Sequence, residues 1–275
     1  MYEELREVTA RLTGEGGPFE IVTVEVDGVP LRAYKNAPAD MRQVWLGTAR
    51  HGDATYVVYE SERISFAQAH RLVAAAARTL RDRFGVRPGD RVAIAMRNYP
   101  EWVLAYWAAI VAGASVVGMN AWWTGPEMAY ALEDASPKLL IADRERLERL
   151  DTVRDRVGEI ATVAVRPGEA GFPGTVPWSE LVSADGPLPD VEIDPDADAC
   201  IFYTSGTTGR PKGARLTHRG CTNNIMSIAF WNSAVPAALD AAGRKPEPPA
   251  KDAPSFPPCF LVVTPAPRCS RTRCS

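Results

Sequence analysis

Apolar positions in this chain recur with two periods, and the two periods alternate. Phe66, Ala69, Leu72, Val73, Ala76, Leu80 and Phe84 return every three or four residues, which predicts an amphipathic helix. Ser65 with Gln68 supplies a capping-box start, and Gly85 a natural stop. Short apolar runs over 91–96, 138–142, 160–165 and 199–203 predict strands. Between them, the pattern predicts a helix over 100–112 and a strand over 114–119. A second capping sequence, Thr124-Gly125-Pro126-Glu127, opens a helix ending near Ala135. A charged helix is predicted over 144–157, a short helix over 178–182, and a polar connector over 187–195. Strands alternating with helices in this way predict an α/β fold. There is no internal repeat.

The residues from Trp102 to Pro126 carry no charge. That length could suit a membrane helix. Gly113, Ser115, Gly118 and Asn120 interrupt it, so a buried helix followed by a strand is the reading, with no membrane span.

Composition narrows the function. With 275 residues the chain can hold one large domain or two small ones. Lys and Arg number 31 against 34 Asp and Glu, a net charge of −3, so no basic field points to nucleic acid. The cysteines at 200, 221, 259, 269 and 274 show no C-x-x-C spacing, and the histidines at 51, 70 and 218 lie far apart. Neither a zinc site nor a disulfide scaffold is expected, and no metal ligand is assigned. The acidic start, Met1-Tyr2-Glu3-Glu4, has no apolar signal core. A reducing, cytoplasmic setting follows as the expectation.

The densest chemistry lies over 203–218, Y-T-S-G-T-T-G-R-P-K-G-A-R-L-T-H. Thr204, Ser205, Thr207 and Thr208 offer hydroxyl donors. Gly206, Gly209 and Gly213 permit positive φ and close approach of backbone to a ligand. Successive N–H groups in such a turn form an anion-binding nest, and Lys212 adds a point charge suited to phosphate. The expected setting is a strand before the loop and a helix opening at Thr217 or His218. A mononucleotide P-loop is excluded, because Gly213 follows Lys212 where a Ser or Thr is required. His218 reads as a helix-start residue rather than a catalytic one.

The loop resembles the signature phosphate loop of the adenylate-forming superfamily, and the resemblance runs beyond it. Ile64-Ser65-Phe66, Arg87-Pro88-Gly89-Asp90-Arg91-Val92-Ala93-Ile94, Asn98-Tyr99-Pro100-Glu101-Trp102 and Ser136-Pro137-Lys138-Leu139-Leu140-Ile141-Ala142-Asp143 are all similar to family segments. The resemblance implies an incomplete N-terminal domain of the acyl-CoA synthetase-like fold. It also implies joining of a carboxylic acid to ATP, giving acyl-adenylate and pyrophosphate, then transfer to CoA. Thr204, Ser205, Gly206, Thr207, Thr208, Gly209 and Lys212 would contact the ATP phosphates, with Mg²⁺ bridging phosphate oxygens. The family's catalytic lysine lies in a C-terminal domain that this sequence lacks, so Lys212 is not taken for it. Asn120-Ala121-Trp122-Trp123 resembles bacterial fatty-acyl-CoA synthetases, which implies a fatty acid; both tryptophans are expected to be packing residues.

The expected organisation is a leader over 1–44 and a partial AMP-binding domain over 45–265 containing a Pro-rich insertion over 236–258. An atypical tail over 266–275 follows, and the C-terminal lid domain is absent. The tail, Ala266-Pro267-Arg268-Cys269-Ser270, has no apolar period and no likeness to the family, which suggests a frameshift, premature stop or misannotated end near residue 266, a native divergent tail being the alternative. The chain thus reads as a truncated carboxylate–CoA ligase, inactive alone and left with an open hydrophobic sheet edge. The alternatives are a non-catalytic ATP-binding or interaction fragment and an unrelated phosphate-binding NTPase.

Overall fold

The computed structural model describes residues 2–204 and 211–244. In chain order it contains α1 (Tyr2–Thr13), β1 (Ile21–Val26), β2 (Val29–Tyr34), α2 (Met41–Gly47), a 3-10 turn (Thr48–His51), β3 (Thr55–Tyr59), β4 (Glu62–Ser65) and α3 (Phe66–Asp82). Then come β5 (Arg91–Ala95), α4 (Pro100–Val111), β6 (Ser115–Gly118), α5 (Gly125–Ala135), β7 (Leu139–Asp143), α6 (Arg144–Asp151), α7 (Arg154–Val157) and β8 (Ala161–Val165). The described chain finishes with β9 (Val176–Pro177), α8 (Trp178–Leu181), β10 (Asp198–Thr204), β11 (Lys212–Thr217) and α9 (His218–Ala241).

Seven strands form one sheet in the order β11-β10-β6-β5-β7-β8-β9. All its pairings are parallel except that of β11 with β10. Strands covered on both faces must be apolar on both, and β5 shows how this is met. Val92 and Ile94 join the core under α3 and α4, while Ala93 and Ala95 join the core under α5 and α6. The caps expected from sequence are present: Ser65 with Gln68 opens α3, and Thr124 with Glu127 opens α5.

Residues 2–44, the described part of the expected leader, are folded against the body of the protein. Val8 of α1 and Phe19 pack with Phe230, Ala234 and Ala238 of α9. The Tyr34 N–H donates to Asn223 Oδ1 at 2.8 Å, and the Met41 N–H to His218 Nδ1 at 3.2 Å. Beneath α2 lies an aromatic stack in which fully buried Trp45 sits 4.3 Å from the His70 ring and 5.0 Å from Trp107.

The structure departs from the sequence reading in several places. The charged helix splits into α6 and α7, because Val153 leaves the helical region at φ −136° and the Thr152 hydroxyl takes the Arg149 carbonyl at 2.7 Å. Helix α9 runs through Pro236 to Ala241, so positions 236–241 of the expected insertion are helical; positions 245–258 and the tail lie outside the described residues. An interior proline costs about 3 kcal/mol, but Pro236 faces solvent while Ala234 and Ala238, on the other side, stay buried against α1. The sheet edge expected to be hydrophobic is mixed at β11, whose exposed residues include Lys212 and Arg215 beside Leu216. Further apolar exposure appears on α9, where Ile228, Trp231 and Val235 face solvent, Trp231 by 52%. Among the described residues, no helix is long and apolar enough to cross a membrane.

Burial lowers the pKa of both His70 and His218 below 6.5. The unfolded chain therefore binds these protons first, and stability falls as pH drops below about 6.5. Melting temperature is expected to fall between pH 7.5 and pH 5.5. His218→Asn keeps an acceptor for Met41, so it is expected to flatten that slope, and an unchanged slope would show that His218 does not contribute.

Candidate phosphate-binding site

The expected loop leaves β10 at the carboxyl edge of the parallel strands. Phe202 pairs with Gly118 of β6, and Gly118 with Ile94 of β5, so the three strands end together. Ligands of open α/β sheets bind outside these ends. A separate cavity of about 500 Å³, lined by Leu140, Leu147, Leu150 and Arg154, lies at the start of β8, away from this edge.

The loop returns first as a strand, which was not expected, and the expected helix opens after it at His218, capped by Thr217. Residues 212–217 form β11, paired antiparallel with β10 from Thr204↔Lys212 to Asp198↔Thr217. The two site residues that are described, Thr204 and Lys212, therefore face each other across the ladder at the loop's mouth. Both are exposed, and the Thr204 hydroxyl reaches the Lys212 carbonyl at 3.5 Å. Ser205, Gly206, Thr207, Thr208 and Gly209 lie outside the described residues. Gly213 sits within β11 rather than in a positive-φ turn. A Cβ there would come 2.9 Å from Ile201 Cγ2, so this glycine is needed for packing space. Among the described residues, no group of three or more His, Cys, Asp or Glu could hold a metal.

The stem of the loop is fixed from below. The Tyr203 hydroxyl donates to Asp134 Oδ2 at 2.6 Å, and its ring meets Trp123 edge-on at 5.7 Å. Burial, then the Asp134 carboxylate, raises the Tyr203 pKa, so the phenol stays neutral. Trp123 is packed as expected. Trp122 is not: it is 65% exposed and lies under the Arg97 guanidinium at 3.9 Å. Residues 120–124 are free of regular structure and need side-chain support, and a buried ion pair provides it.

Arg146 donates to both oxygens of Asp143 at 2.6 Å and to the Ala121 carbonyl at 2.9 Å. Asp143 also accepts from the Arg97 N–H at 3.0 Å. Sequence reasoning missed this pair, although Asp143 just before a charged helix is an N-cap signal. His218, 1% exposed, is held between α2 and α9, in accord with a structural role. Thr217 is the cap of α9, accepting from the Gly220 N–H at 3.1 Å.

Residues 44–244 match the family of AMP-binding enzymes. The chain belongs to that family. It is 37% identical over 175 residues to a feruloyl-CoA synthase from Amycolatopsis sp, which covers 64% of this chain and 32% of the relative. It is 34% identical over 147 residues to a 4-coumarate–CoA ligase from Humulus lupulus, covering 52% of this chain and 26% of that one. The chain thus spans about a third of the length of these relatives. Among solved structures, acetoacetyl-CoA synthetase from Streptomyces lividans superposes with a TM-score of 0.67 at 21% identity, over 82% of this chain and 38% of that one. At that identity the likeness establishes the fold, here the N-terminal part of the adenylate-forming architecture. The α/β class and the family resemblance read from sequence both hold.

Two substitutions test the geometry of the stem. A Cβ at Gly118 would fall 2.5 Å from the Phe202 ring, so Gly118→Ala is expected to cost about 1–3 kcal/mol by overpacking. Arg146→Ala strands the buried Asp143 carboxylate and is expected to cost about 3–5 kcal/mol. Urea denaturation measures both, and losses under about 0.5 kcal/mol, the usual range for surface substitutions, would contradict the packing described.

Proposed function

We propose that this chain is the ATP-phosphate-binding portion of a carboxylate–CoA ligase. The observation that carries the reading is the β10–β11 stem, which sets Thr204 and Lys212 opposite each other at the sheet's carboxyl edge in an AMP-binding family chain. The assigned set is Thr204, Ser205, Gly206, Thr207, Thr208, Gly209 and Lys212. Hydroxyls, backbone N–H groups and an ammonium are donors, which suits the β- and γ-phosphates of ATP and offers little to a cation. Mg²⁺ is accordingly assigned to the phosphate oxygens, not to a protein cluster.

Activating a carboxylate with ATP brings two anions together. Fixed positive groups at the phosphates offset that repulsion and orient pyrophosphate as the leaving group. CoA is the assigned thiol acceptor, and the cytoplasm, which supplies ATP and CoA, the assigned compartment. The acid is better placed among aromatic carboxylates than fatty ones. The feruloyl and coumarate relatives support this by name, and the 120–123 segment that prompted a fatty acid is committed to contacts with Arg97 and Tyr203.

Titration calorimetry with ATP–Mg tests the phosphate assignment. Removing a charged hydrogen bond costs about 1.5–3 kcal/mol, so Lys212→Ala is expected to weaken binding at least roughly tenfold. Equal affinity in wild type and variant would remove Lys212 from the site. The chain spans about a third of the length of the relatives it matches, so this 275-residue polypeptide is expected to bind ATP without acid-dependent pyrophosphate exchange. Exchange with ferulate or with decanoate would overturn that expectation and identify the acid.

A further inference from the structure

Helix α9 carries two apolar stripes, and only one of them is covered. Phe230, Ala234 and Ala238 pack with Val8 of α1 and with Phe19. Turned away from that contact, Ile225, Ile228, Trp231 and Val235 are exposed. They recur every three or four residues, so they form one stripe along the helix. No charged side chain occurs from 220 to 239. A surface helix ordinarily turns charged and polar residues to solvent, and a contiguous apolar patch marks a contact site. None of the phosphate-site residues belongs to this stripe.

The described chain ends where the stripe ends. Gly243 takes φ 65°, its N–H donates to the Asp240 carbonyl at 2.9 Å, and the Arg244 N–H donates to the Leu239 carbonyl at 2.8 Å. Such a turn closes a helix and leads the chain off its axis. Residues 245–275 lie outside the described residues, and their sequence divides in two. Positions 242–252 include Arg244, Lys245, Glu247, Lys251 and Asp252; positions 253–267 carry no charge and include Phe256, Phe260, Leu261, Val262 and Val263. From Ala241 back to Ile225 is about 24 Å along the helix. Positions 242–252 can span up to about 36 Å, so the uncharged segment reaches the whole stripe. A tether of this length supplies an effective concentration on the order of millimolar, whereas a second copy must bind from dilute solution.

We propose that residues 253–267 of this chain dock on the exposed stripe of α9, with the apolar side chains of positions 256–263 set against Ile228, Trp231 and Val235. Neither side of this contact carries a charge that would have to leave water. Docking removes from water the apolar surface that α9 otherwise exposes. The charged positions 244–252 serve as the tether. The stripe is then an internal contact of the chain, not a landing site for another protein. Nothing in this contact depends on which acid or nucleotide the loop binds.

The test is hydroxyl-radical footprinting of the full chain, read at Trp231 by mass spectrometry. Trypsin cleaves after Arg219 and Arg244, which recovers the stripe as one peptide with Trp231 its single tryptophan. The comparison is a double variant, Phe260→Asp with Val262→Asp, which puts two charges into the segment and leaves every residue of α9 in place. Trp231 is expected to be oxidised several-fold less in the wild-type chain than in the variant, to the same extent at high and low protein concentration. Trp122, 65% exposed at the sheet's carboxyl edge, is the reference and is expected to react alike in both chains. Equal oxidation of Trp231 in the two chains would overturn the proposal. So would protection of Trp231 that is lost on dilution, which would assign the stripe to a second copy, or a change at Trp122 as large as that at Trp231, which would mark a general loss of structure.

Discussion

A parallel sheet covered on both faces constrains everything else in this chain. Its strands can carry no charge within the layers, so the interiors of β5, β6 and β7 are Val, Ile, Ala and Leu, with Arg91, Ser115, Gly118 and Asp143 at the strand ends. Polar chemistry is pushed to the strand ends. At the carboxyl edge, the end of β10, the segment after β6 and the start of α6 support one another through Tyr203 against Trp123 and Arg146 on Ala121. The antiparallel return of β11 adds a second consequence. It holds the two ends of the loop at ladder distance, so Thr204 and Lys212 are opposed by backbone pairing alone.

Support for this edge comes in layers. The Asp143–Arg146 pair is buried and hydrogen-bonded on both sides, the condition under which a buried charge is tolerated. Through Ala121 it holds the segment leading to Trp123, whose ring braces Tyr203 beside the loop. Tyr203 is tied in turn to α5 through Asp134. The exposed donors at the loop's mouth thus stand on a base with few free rotamers, the preorganisation a phosphate site needs.

Much of this was legible in sequence, for identifiable reasons. Helices α3, α4 and α5 carry both a period and a cap, and β5 to β8 are short apolar runs, so propensity, pattern and burial agree. Strand β11 was not legible. Lys-Gly-Ala-Arg-Leu-Thr has neither alternation nor burial, and it is a strand because β10 offers it an edge. The β1–β2 hairpin was legible but went unread: Asp27-Gly28 is a strong turn signal, and both residues adopt positive φ, 49° and 77°. The Asp143–Arg146 pair needed the structure, since a local cap and a buried ion pair share one sequence pattern. Trp122 misled for the opposite reason. Its size suggested burial, while a cation–π contact with Arg97 keeps it at the surface.

The central claim is that the segment between β10 and β11 grips the phosphates of ATP. Hydrogen exchange read by mass spectrometry at peptide resolution tests it most directly, because each amide engaged by phosphate slows. Adding ATP–Mg is expected to protect the amides of residues 204–213, and adding adenosine is expected to leave them unchanged. Protection confined to the cavity beside Arg154, or equal protection by adenosine, would contradict the account.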